Sequence, residues 1–235
     1  MNHVKRNALR AAFPHTIPIL TGFLFLGMTY GIYMRSLGFS AVYPMVMSLT
    51  IFAGSMEFVA GKLLLGAFDP IQAAVLTLTL NARHLFYGIS MLDKYKGAGE
   101  KKCYLIFGMC DETFSVNCSA QVPEGVDRGW FYFFVTLLDQ LYWFTGAALG
   151  GLFGAMLPFN TQGLDFVMTA MFVVIFLEQW LKEERHASSL LGLGLSLLCL
   201  TVFGADGFLI PSMLAILAAL TLMGRAEWKK EVPTA

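Results

Sequence analysis

The hydrophobic positions of this chain form long continuous segments instead of alternating with polar positions. A membrane-spanning α-helix needs about 20 mostly apolar residues. Glycine, proline and charged residues separate eight segments of suitable length, which are 16–34, 41–66, 70–92, 103–121, 130–156, 163–181, 187–204 and 207–224. The pattern predicts an all-α polytopic membrane protein with about six to eight membrane helices.

Composition agrees with this prediction. Hydrophobic residues make up 57% of the chain and charged residues 14%, whereas soluble domains carry about 25% charged residues. The net charge is zero, which disfavours nucleic acid as a partner. We expect residues 1–235 to form a single transmembrane transport domain.

Lysine and arginine occur in clusters that test the number of crossings, because cytoplasmic loops are enriched in these residues. If all eight segments span, the most basic loop falls outside. The conflict disappears if 41–66 and 163–181 are broken or re-entrant helices that enter and leave on one side, with Gly54 and Gly61 as break points in the first. Six segments then cross, and every cluster is cytoplasmic: Lys5–Arg10, Lys94–Lys102, Lys182–Arg185 and Arg225–Lys230.

An internal repeat is also indicated. A shift of 124 residues aligns Thr21 and Gly22 with Thr145 and Gly146, and other short matches follow. Under the six-crossing topology the first and fifth segments run in opposite directions. We therefore predict an inverted repeat, with candidate repeats 16–92 and 140–210 and a substrate site near the membrane midplane.

Polar residues inside apolar segments are costly and usually face a cavity or a partner. The first such element contains Gly54, Ser55 and Glu57. Its small residues permit close backbone approach, and Glu57 is a candidate substrate-amine or proton site. The alternative is an ion pair of Glu57 with Lys62 or Arg83 that only fixes packing.

The second element contains Asn81, Arg83, His84 and Tyr87. An arginine can hold a carboxylate with two hydrogen bonds, and a histidine titrates near neutral pH. These residues are candidates for substrate binding and transport. Alternatively, Arg83 pairs with an acidic residue and His84 binds a backbone carbonyl in purely structural roles.

The third element is the adjacent pair Asp111 and Glu112, and Asp139 follows within segment 130–156. We consider all three for coupling or gating. Neighbouring side chains on a helix point about 100° apart, so the pair is expected to serve different partners. Alternatively, Asp111 caps a helix or pairs with a lysine of 94–102. Trp143 is interpreted as an interfacial residue.

Enzyme chemistry is not indicated, and we predict a protein that is not an enzyme. The chain has no HExxH, no G-x-S-x-G and no P-loop motif. Its histidines are dispersed without metal-ligand spacing, and its four cysteines form no CxxC pair. No cofactor or metal is expected.

Three motifs together resemble a known family. They are Phe52-Ala-Gly-Ser-Met-Glu-Phe58, Asn81-Ala-Arg-His-Leu-Phe-Tyr-Gly88 and Asp111-Glu-Thr113. In their order and spacing, and in total length, the chain resembles the AzlC-type large subunit of the two-component branched-chain amino acid exporters. The resemblance covers nearly the whole sequence.

The resemblance implies a permease of the bacterial inner membrane that exports branched-chain or related apolar amino acids. It also implies a small membrane partner, the AzlD-type subunit, and energy from an ion gradient. The N- and C-termini are predicted to be cytoplasmic. The family usually has Gln where this chain has Glu57, which bears on substrate and coupling. Alternatives are a permease for another small amphiphilic metabolite and a non-transport membrane assembly subunit.

Overall fold

The computed structural model describes residues 3–81, 83–156 and 186–231, together with 166, 169, 170, 173, 176, 177, 180 and 181. Regular secondary structure in this part of the chain is helical, which confirms the all-α prediction. The elements are α1 (His3–Ser36), α2 (Val42–Thr50), α3 (Gly54–Leu65), α4 (Pro70–Asn81), α5 (Arg83–Met91), α6 (Lys101–Phe107), α7 (Asp111–Ser119), α8 (Arg128–Phe153), a 3₁₀ turn (Gly154–Met156), α9 (Ala187–Gly207) and α10 (Leu209–Glu231).

The chain divides into two compact units, residues 1–168 and 169–235. In the second unit α9 packs against α10, and Gly204 interrupts the helical geometry of α9 with a φ of 72°. By length and composition, α1 and the stretch Ala187–Gly204 qualify as membrane spans among the described residues, and Leu214–Met223 is a shorter apolar helix. The number of six to eight membrane helices stays a prediction.

Helices α1 and α8 form the centre of the first unit and run parallel to each other. Near their starts, the Lys5 ammonium lies 4.3 Å from the centre of the Trp130 ring. Further along, Gly31 faces Gly150 so closely that a Cβ atom on Gly31 would lie 2.3 Å from the Ala147 carbonyl oxygen. Glycine permits this backbone contact, as is common where membrane helices cross.

This parallel packing corrects one prediction. The first and fifth apolar segments were expected to run in opposite directions, and they do not. Of the glycines that the shift of 124 residues brings into correspondence, Gly27 and Gly146 lie in the α1–α8 contact, whereas a Cβ atom on Gly22 would meet open space. The limits 16–92 and 140–210 stay a prediction, because part of the second repeat, including most of 163–181, lies outside the described residues.

The first unit has two distinct ends. We call the end with Lys5, Lys101 and Trp130 the basic end, because both ammonium groups lie over the Trp130 ring. The opposite end, with Ser36 and Gly154, is the distal end. The basic clusters Lys5–Arg10 and Lys94–Lys102 therefore share one end, as the charge pattern predicts.

Helices α2 and α3 form a hairpin, here called the first hairpin (residues 42–65), that enters from the distal end and returns to it. Pro44 packs on Gly151 near the end of α8. The chain then reaches the middle of α8, where the Gln140 amide donates to the Leu49 carbonyl at 3.1 Å. After the turn, α3 runs back until Gly61 meets Met34 of α1.

The first hairpin confirms the predicted break within 41–66, but its position was predicted wrongly. Gly54 and Gly61 are both helical, and the break lies at residues 51–53. Phe52 has a φ of 46°, a left-handed conformation that costs a non-glycine residue roughly 1–2 kcal/mol. Packing must hold it there, and Phe52 is buried.

Helices α6 and α7 form a second hairpin (residues 101–119), which enters from the basic end and returns to it. Lys101 starts it beside Trp130, and the chain turns at residues 108–110. On the return, the Lys94 ammonium donates to the Asn117 carbonyl at 3.1 Å. Segment 103–121 was predicted to span and does not; its apolar length is folded in two.

Helices α4 and α5 lead from the first hairpin to the second. Thr77 of α4 contacts Met56 of α3, whereas Met91 at the end of α5 lies in a core cluster with Ala8 and Leu105. The first unit therefore consists of α1, α4–α5 and α8 running between its ends, with two hairpins entering from opposite ends.

Candidate functional site

The two hairpins meet the same stretch of α8. Asp139, Gln140 and Trp143 lie within about one helical turn, and each bonds to one or both hairpins. All three side chains are buried. We call this polar surface of α8 the α8 face. Among the described bonds of α8, side-chain bonds to both hairpins occur only here.

On the first hairpin, Glu57 lies in the first turn of α3 and is fully buried. Its Oε1 accepts the Trp143 indole N–H at 2.9 Å and the Ala53 amide at 3.2 Å. Its Oε2 has no hydrogen-bond partner in the described structure. Both donors described for Glu57 are neutral groups. The described bonds therefore do not include the alternative ion pair with Lys62 or Arg83.

Gly54 and Ser55 begin α3 beside Glu57. A Cβ atom on Gly54 would lie 3.1 Å from the Trp143 ring, so the small residue lets the indole reach Glu57. Ser55 is buried as well. Gly54 therefore permits close approach of the Trp143 side chain, whereas the predicted close approach of backbones at these residues stays a prediction.

Trp143 was predicted to lie in an interfacial belt, and that prediction is wrong. It is 4% exposed, and its ring packs edge-on to Phe23 and stacked on Tyr30. A tryptophan that is buried usually needs a partner for its N–H, and here that partner is Glu57.

On the second hairpin, Thr113 of α7 donates its hydroxyl to Asp139 Oδ2 at 3.0 Å. Asp139 is fully buried, and its Oδ1 has no hydrogen-bond partner in the described structure. The Tyr104 hydroxyl of α6 donates to Gln140 at 2.6 Å. Since Gln140 also donates to Leu49, it bridges the two hairpins.

A second cluster surrounds Asp111 at the start of α7. Arg83 forms an ion pair with Asp111 at 3.0 Å, and the two side chains are 32% and 20% exposed. The Tyr87 hydroxyl donates to Asp111 at 2.8 Å. Tyr87 contacts the His84 ring edge-on and stacks on Phe114. The structure thus shows the alternative in which Arg83 pairs with an acid.

The remaining predicted residues are Asn81 and Glu112. Asn81 ends α4, and its buried Oδ1 lacks a hydrogen-bond partner in the described structure. Glu112 is half-buried in the first turn of α7. Asp111 was also considered as a helix cap or as a partner of lysine 94–102; Cys110 occupies the N-cap position, and Asp111 pairs with Arg83.

The structure therefore sorts the predicted site into two groups. Asp139 belongs to the α8 face and Glu57 bonds to that face through Trp143, whereas Arg83, His84, Tyr87 and Asp111 form the second cluster. Helix α7 joins them, because Asp111 and Thr113 lie in its first turn. Sequence reasoning missed Thr113, Gln140 and Trp143, although the spacing of Asp139 and Trp143 places them on one helical face.

Helices that break in the middle of a membrane expose backbone groups and are tolerated where they line a cavity or contact protein. Secondary transporters use such half-helices to build substrate and ion sites. Among the described residues no group of three or more His, Cys, Asp or Glu side chains is placed to hold a metal ion. The arrangement is suited to binding a small polar or charged solute at mid-depth.

Comparison with known proteins gives consistent matches. The sequence pattern of the AzlC protein family matches residues 18–157. The branched-chain amino acid transport protein AzlC of Bacillus subtilis is 66% identical over 225 residues, which is 96% of this chain and 89% of that protein. An uncharacterized membrane protein of Haemophilus influenzae is 51% identical, covering 92% of this chain and 88% of its own length.

A more distant relative is the inner membrane protein YgaZ of Escherichia coli. It is 23% identical over 178 residues, which is 72% of each chain. No solved structure matches this chain.

Proposed function

This chain belongs to the AzlC family, and from that premise we propose that it is an inner-membrane permease that exports branched-chain or related apolar amino acids. The observation that carries the proposal is the meeting of two hairpins from opposite ends at the buried α8 face. The name of the Bacillus subtilis relative supports the substrate class.

Substrate recognition follows from the chemistry of an apolar amino acid. Its ammonium group needs an anionic partner, and Glu57 is fully buried with one carboxylate oxygen unbonded. Its aliphatic side chain needs an apolar surface, and we assign this role to Phe52 and Phe58, which are buried near Glu57 in the sequence. We assign Gly54 and Ser55 to the same region, because their small side chains leave space around the start of α3.

The substrate carboxylate has Arg83 as its candidate partner. Arg83 is one-third exposed and holds Asp111, so a substrate must compete with Asp111 for the guanidinium group. That competition would loosen the start of α7. Asn81, His84 and Tyr87 surround this exchange, and we assign them to the same step.

Energy coupling and assembly complete the proposal. We propose that export is driven by an ion gradient, with Asp111, Glu112 and Asp139 as coupling or gating residues, and that a small AzlD-type membrane subunit is required. The basic end is taken as cytoplasmic, since lysine and arginine mark cytoplasmic loops. The N-terminus then lies in the cytoplasm.

The test measures leucine efflux from cells loaded with a leucine-containing dipeptide, in a strain whose own exporters are deleted. Cells that express this chain with the small subunit are expected to lower internal leucine faster than cells with an empty vector. Arg83→Ala is expected to reduce efflux at least about tenfold, given the loss of a charge-assisted bond to the substrate. Asp93→Asn, at an exposed residue, is the control.

Efflux equal to that of the empty vector would contradict the proposal. If the chain is instead an assembly subunit, Arg83→Ala leaves efflux unchanged and alters only recovery of its partner. If it carries another amphiphilic metabolite, loading with other solutes produces the efflux that leucine does not.

A further inference from the structure

We propose that the start of α1 binds one anionic phospholipid through a row of four side chains, here called the α1 stripe. Its members are all exposed and follow one another at helical spacing: Arg6, Arg10, Phe13 and Ile17. The two arginines bind the phosphate of the headgroup, and the two apolar residues contact an acyl chain. This surface is separate from the α8 face, and its ligand does not depend on which solute is transported.

The spacing of the α1 stripe places its members on one face of α1. Steps of four, three and four residues each advance an α-helix by about one turn. Phe13 and Ile17 are 46% and 48% exposed, whereas Ala8 and Ala12, about half a turn away from the stripe, are buried. The stripe is therefore exposed while the opposite face of α1 is packed in the first unit.

The stripe extends from the depth of lipid headgroups to the depth of acyl chains. Trp130 and the two lysines beside it mark the headgroup level, because tryptophan is enriched at the membrane–water interface and lysine keeps its charge in water. Lys5 lies 4.3 Å from the centre of the Trp130 ring, and Arg6 is the next residue. Ile17 lies about 16 Å further along α1 than Arg6, and a headgroup region is only about 5–8 Å thick. The apolar end of the stripe therefore reaches the acyl chains.

The arginines of the stripe have no described acidic partner. Helix α1 contains no Asp or Glu, and no ion pair is described for Arg6 or Arg10 in the part of the chain that the structure covers. Arg6 donates to the His3 ring at 3.2 Å, which uses one of its five N–H donors. A guanidinium group fits a phosphate with two parallel hydrogen bonds, and the positive end of the α1 dipole favours the same charge. Charge complementarity therefore favours an anionic headgroup.

The apolar half of the stripe favours a lipid over a soluble anion. A soluble phosphate contacts the arginines alone, whereas a phospholipid also covers Phe13 and Ile17. Helix α6 at the same end offers a comparison: its exposed Lys102 precedes an exposed Ile106 by one turn, but α6 contains no arginine. Only α1 combines two exposed arginines with exposed apolar residues at this end of the described structure.

The test measures lipid binding to the purified full chain in detergent by native mass spectrometry, with and without the small subunit where the two co-purify. The lipids are dioleoylphosphatidylglycerol, which is anionic, and dioleoylphosphatidylcholine, which has the same acyl chains and no net charge. Glycerol 3-phosphate, which has the phosphate without acyl chains, is added as a competitor. The melting temperature without added lipid shows whether each variant is folded.

Two double variants divide the stripe into its halves: Arg6→Gln with Arg10→Gln, and Phe13→Ser with Ile17→Ser. The matched control is Lys96→Gln with Lys102→Gln, which changes the net charge equally at two exposed positions of the basic cluster Lys94–Lys102.

We expect phosphatidylglycerol to bind the unmodified chain about tenfold or more tightly than phosphatidylcholine, and the arginine variant to lose about the same factor. The lysine control is expected to lose less than about twofold, since exposed charges away from the ligand are screened. The apolar variant is expected to weaken phosphatidylglycerol about threefold or more by loss of the acyl-chain contact. Arg6→Lys with Arg10→Lys keeps the charge and is expected to recover part of the binding.

The proposal is overturned if the arginine variant and the lysine control lose equal affinity, because the attraction then belongs to the whole basic end. Equal binding of phosphatidylcholine, or full competition by glycerol 3-phosphate at equal concentration, shows that the ligand is not an anionic lipid. Phosphatidylglycerol that binds the chain alone but not its complex with the small subunit shows that the subunit covers the stripe, which also overturns the proposal. If the arginine variant does not elute as folded protein, the lysine replacements Arg6→Lys and Arg10→Lys decide, and unchanged binding in them contradicts a two-arginine clamp.

Discussion

The two hairpins of the first unit share a plan and differ in how they place their acidic residues. Each has a helix that reaches the middle of α8, a short break, and a helix that returns to the end it came from. In the first hairpin, Glu57 is fully buried and bonded by neutral donors. In the second, Asp111 is partly exposed and paired with Arg83.

This difference indicates different roles for the two tips. An acid that is already paired with arginine is satisfied in the absence of ligand and can be released by competition. A buried acid with an unbonded oxygen is satisfied only when something binds. The first hairpin is therefore the better candidate for holding a ligand, and the second for opening and closing access to it.

The largest expected effect concerns the side of the membrane from which each hairpin enters. In a variant whose four cysteines are replaced by serine, single cysteines are placed at the exposed positions Ser40 and Ala67, which flank the first hairpin, and at Lys96 and Glu124, which flank the second. A membrane-impermeant maleimide is expected to label the first two from one side of the membrane only. It is expected to label the other two from the opposite side only.

Right-side-out and inverted vesicles provide the two sides for this labelling. If Lys96→Cys and Glu124→Cys are labelled from different sides, segment 103–121 spans the membrane, and the comparison of two hairpins is lost. The same result for Ser40→Cys and Ala67→Cys would remove the first hairpin instead.

The next effect compares matched substitutions at the two tips. A Cβ atom on Gly108 would lie 2.2 Å from Thr136 Cγ2, which belongs to a fully buried, β-branched side chain. On Gly54 the corresponding distance is 3.1 Å, to the Trp143 ring. Gly108→Ala is expected to lower the melting temperature of the purified protein clearly more than Gly54→Ala, since overpacking costs about 1–3 kcal/mol.

A rescue variant makes this comparison specific. Thr136→Ser removes Cγ2 and keeps the hydroxyl that donates to the Tyr132 carbonyl. The double variant Gly108→Ala, Thr136→Ser is expected to melt above Gly108→Ala alone. Equal melting of the single and double variants would show that the tight contact at Gly108 does not limit the second hairpin.

The charge pattern of the sequence predicted one hairpin and missed the other for a physical reason. Segment 41–66 was identified because a full crossing there would move the Lys94–Lys102 loop to the wrong side. Segment 103–121 begins with an apolar stretch, but its second half carries Asp111 and Glu112; no charge count opposed its crossing. Its break lies at residues 108–110, where Gly108 fits closely against Thr136 in a contact between distant residues.

The candidate site shows the same division. Glu57, Arg83 and Asp111 were identified because charged residues inside apolar segments are costly. Their partners were not, since the charge alone does not tell which donor folds against it. Trp143 illustrates this: the residue type favours an interface, and only the packing of α8 on α3 reveals its bond to Glu57.

A smaller effect is expected from the ion pair of the second hairpin. Arg83→Glu and Asp111→Arg each place like charges together, and both are expected to reduce leucine efflux. The charge-swapped double variant restores opposite charges and is expected to recover part of the loss. No recovery in efflux or in melting temperature would show that Arg83 and Asp111 act on separate partners.

The smallest expected effect concerns Gln140, which bonds to both hairpins. Its amide donates to the Leu49 carbonyl of the first hairpin and accepts from the Tyr104 hydroxyl of the second. Gln140→Leu removes both bonds, whereas Tyr104→Phe removes only the second. A buried polar group left unbonded costs about 1–3 kcal/mol, so Tyr104→Phe is expected to destabilise the protein by about half as much as Gln140→Leu.

Unfolding in mixed detergent measures both changes, with Tyr43→Phe and Gln121→Leu at exposed positions as controls. If Gln140 bridges the hairpins, Gln140→Leu in the Tyr104→Phe background costs only the bond to Leu49. The two variants would instead be additive if Gln140 and Tyr104 bonded to different partners. Because this bridge joins α2 of the first hairpin to α6 of the second, we expect its loss to weaken the mechanical coupling between the two hairpins.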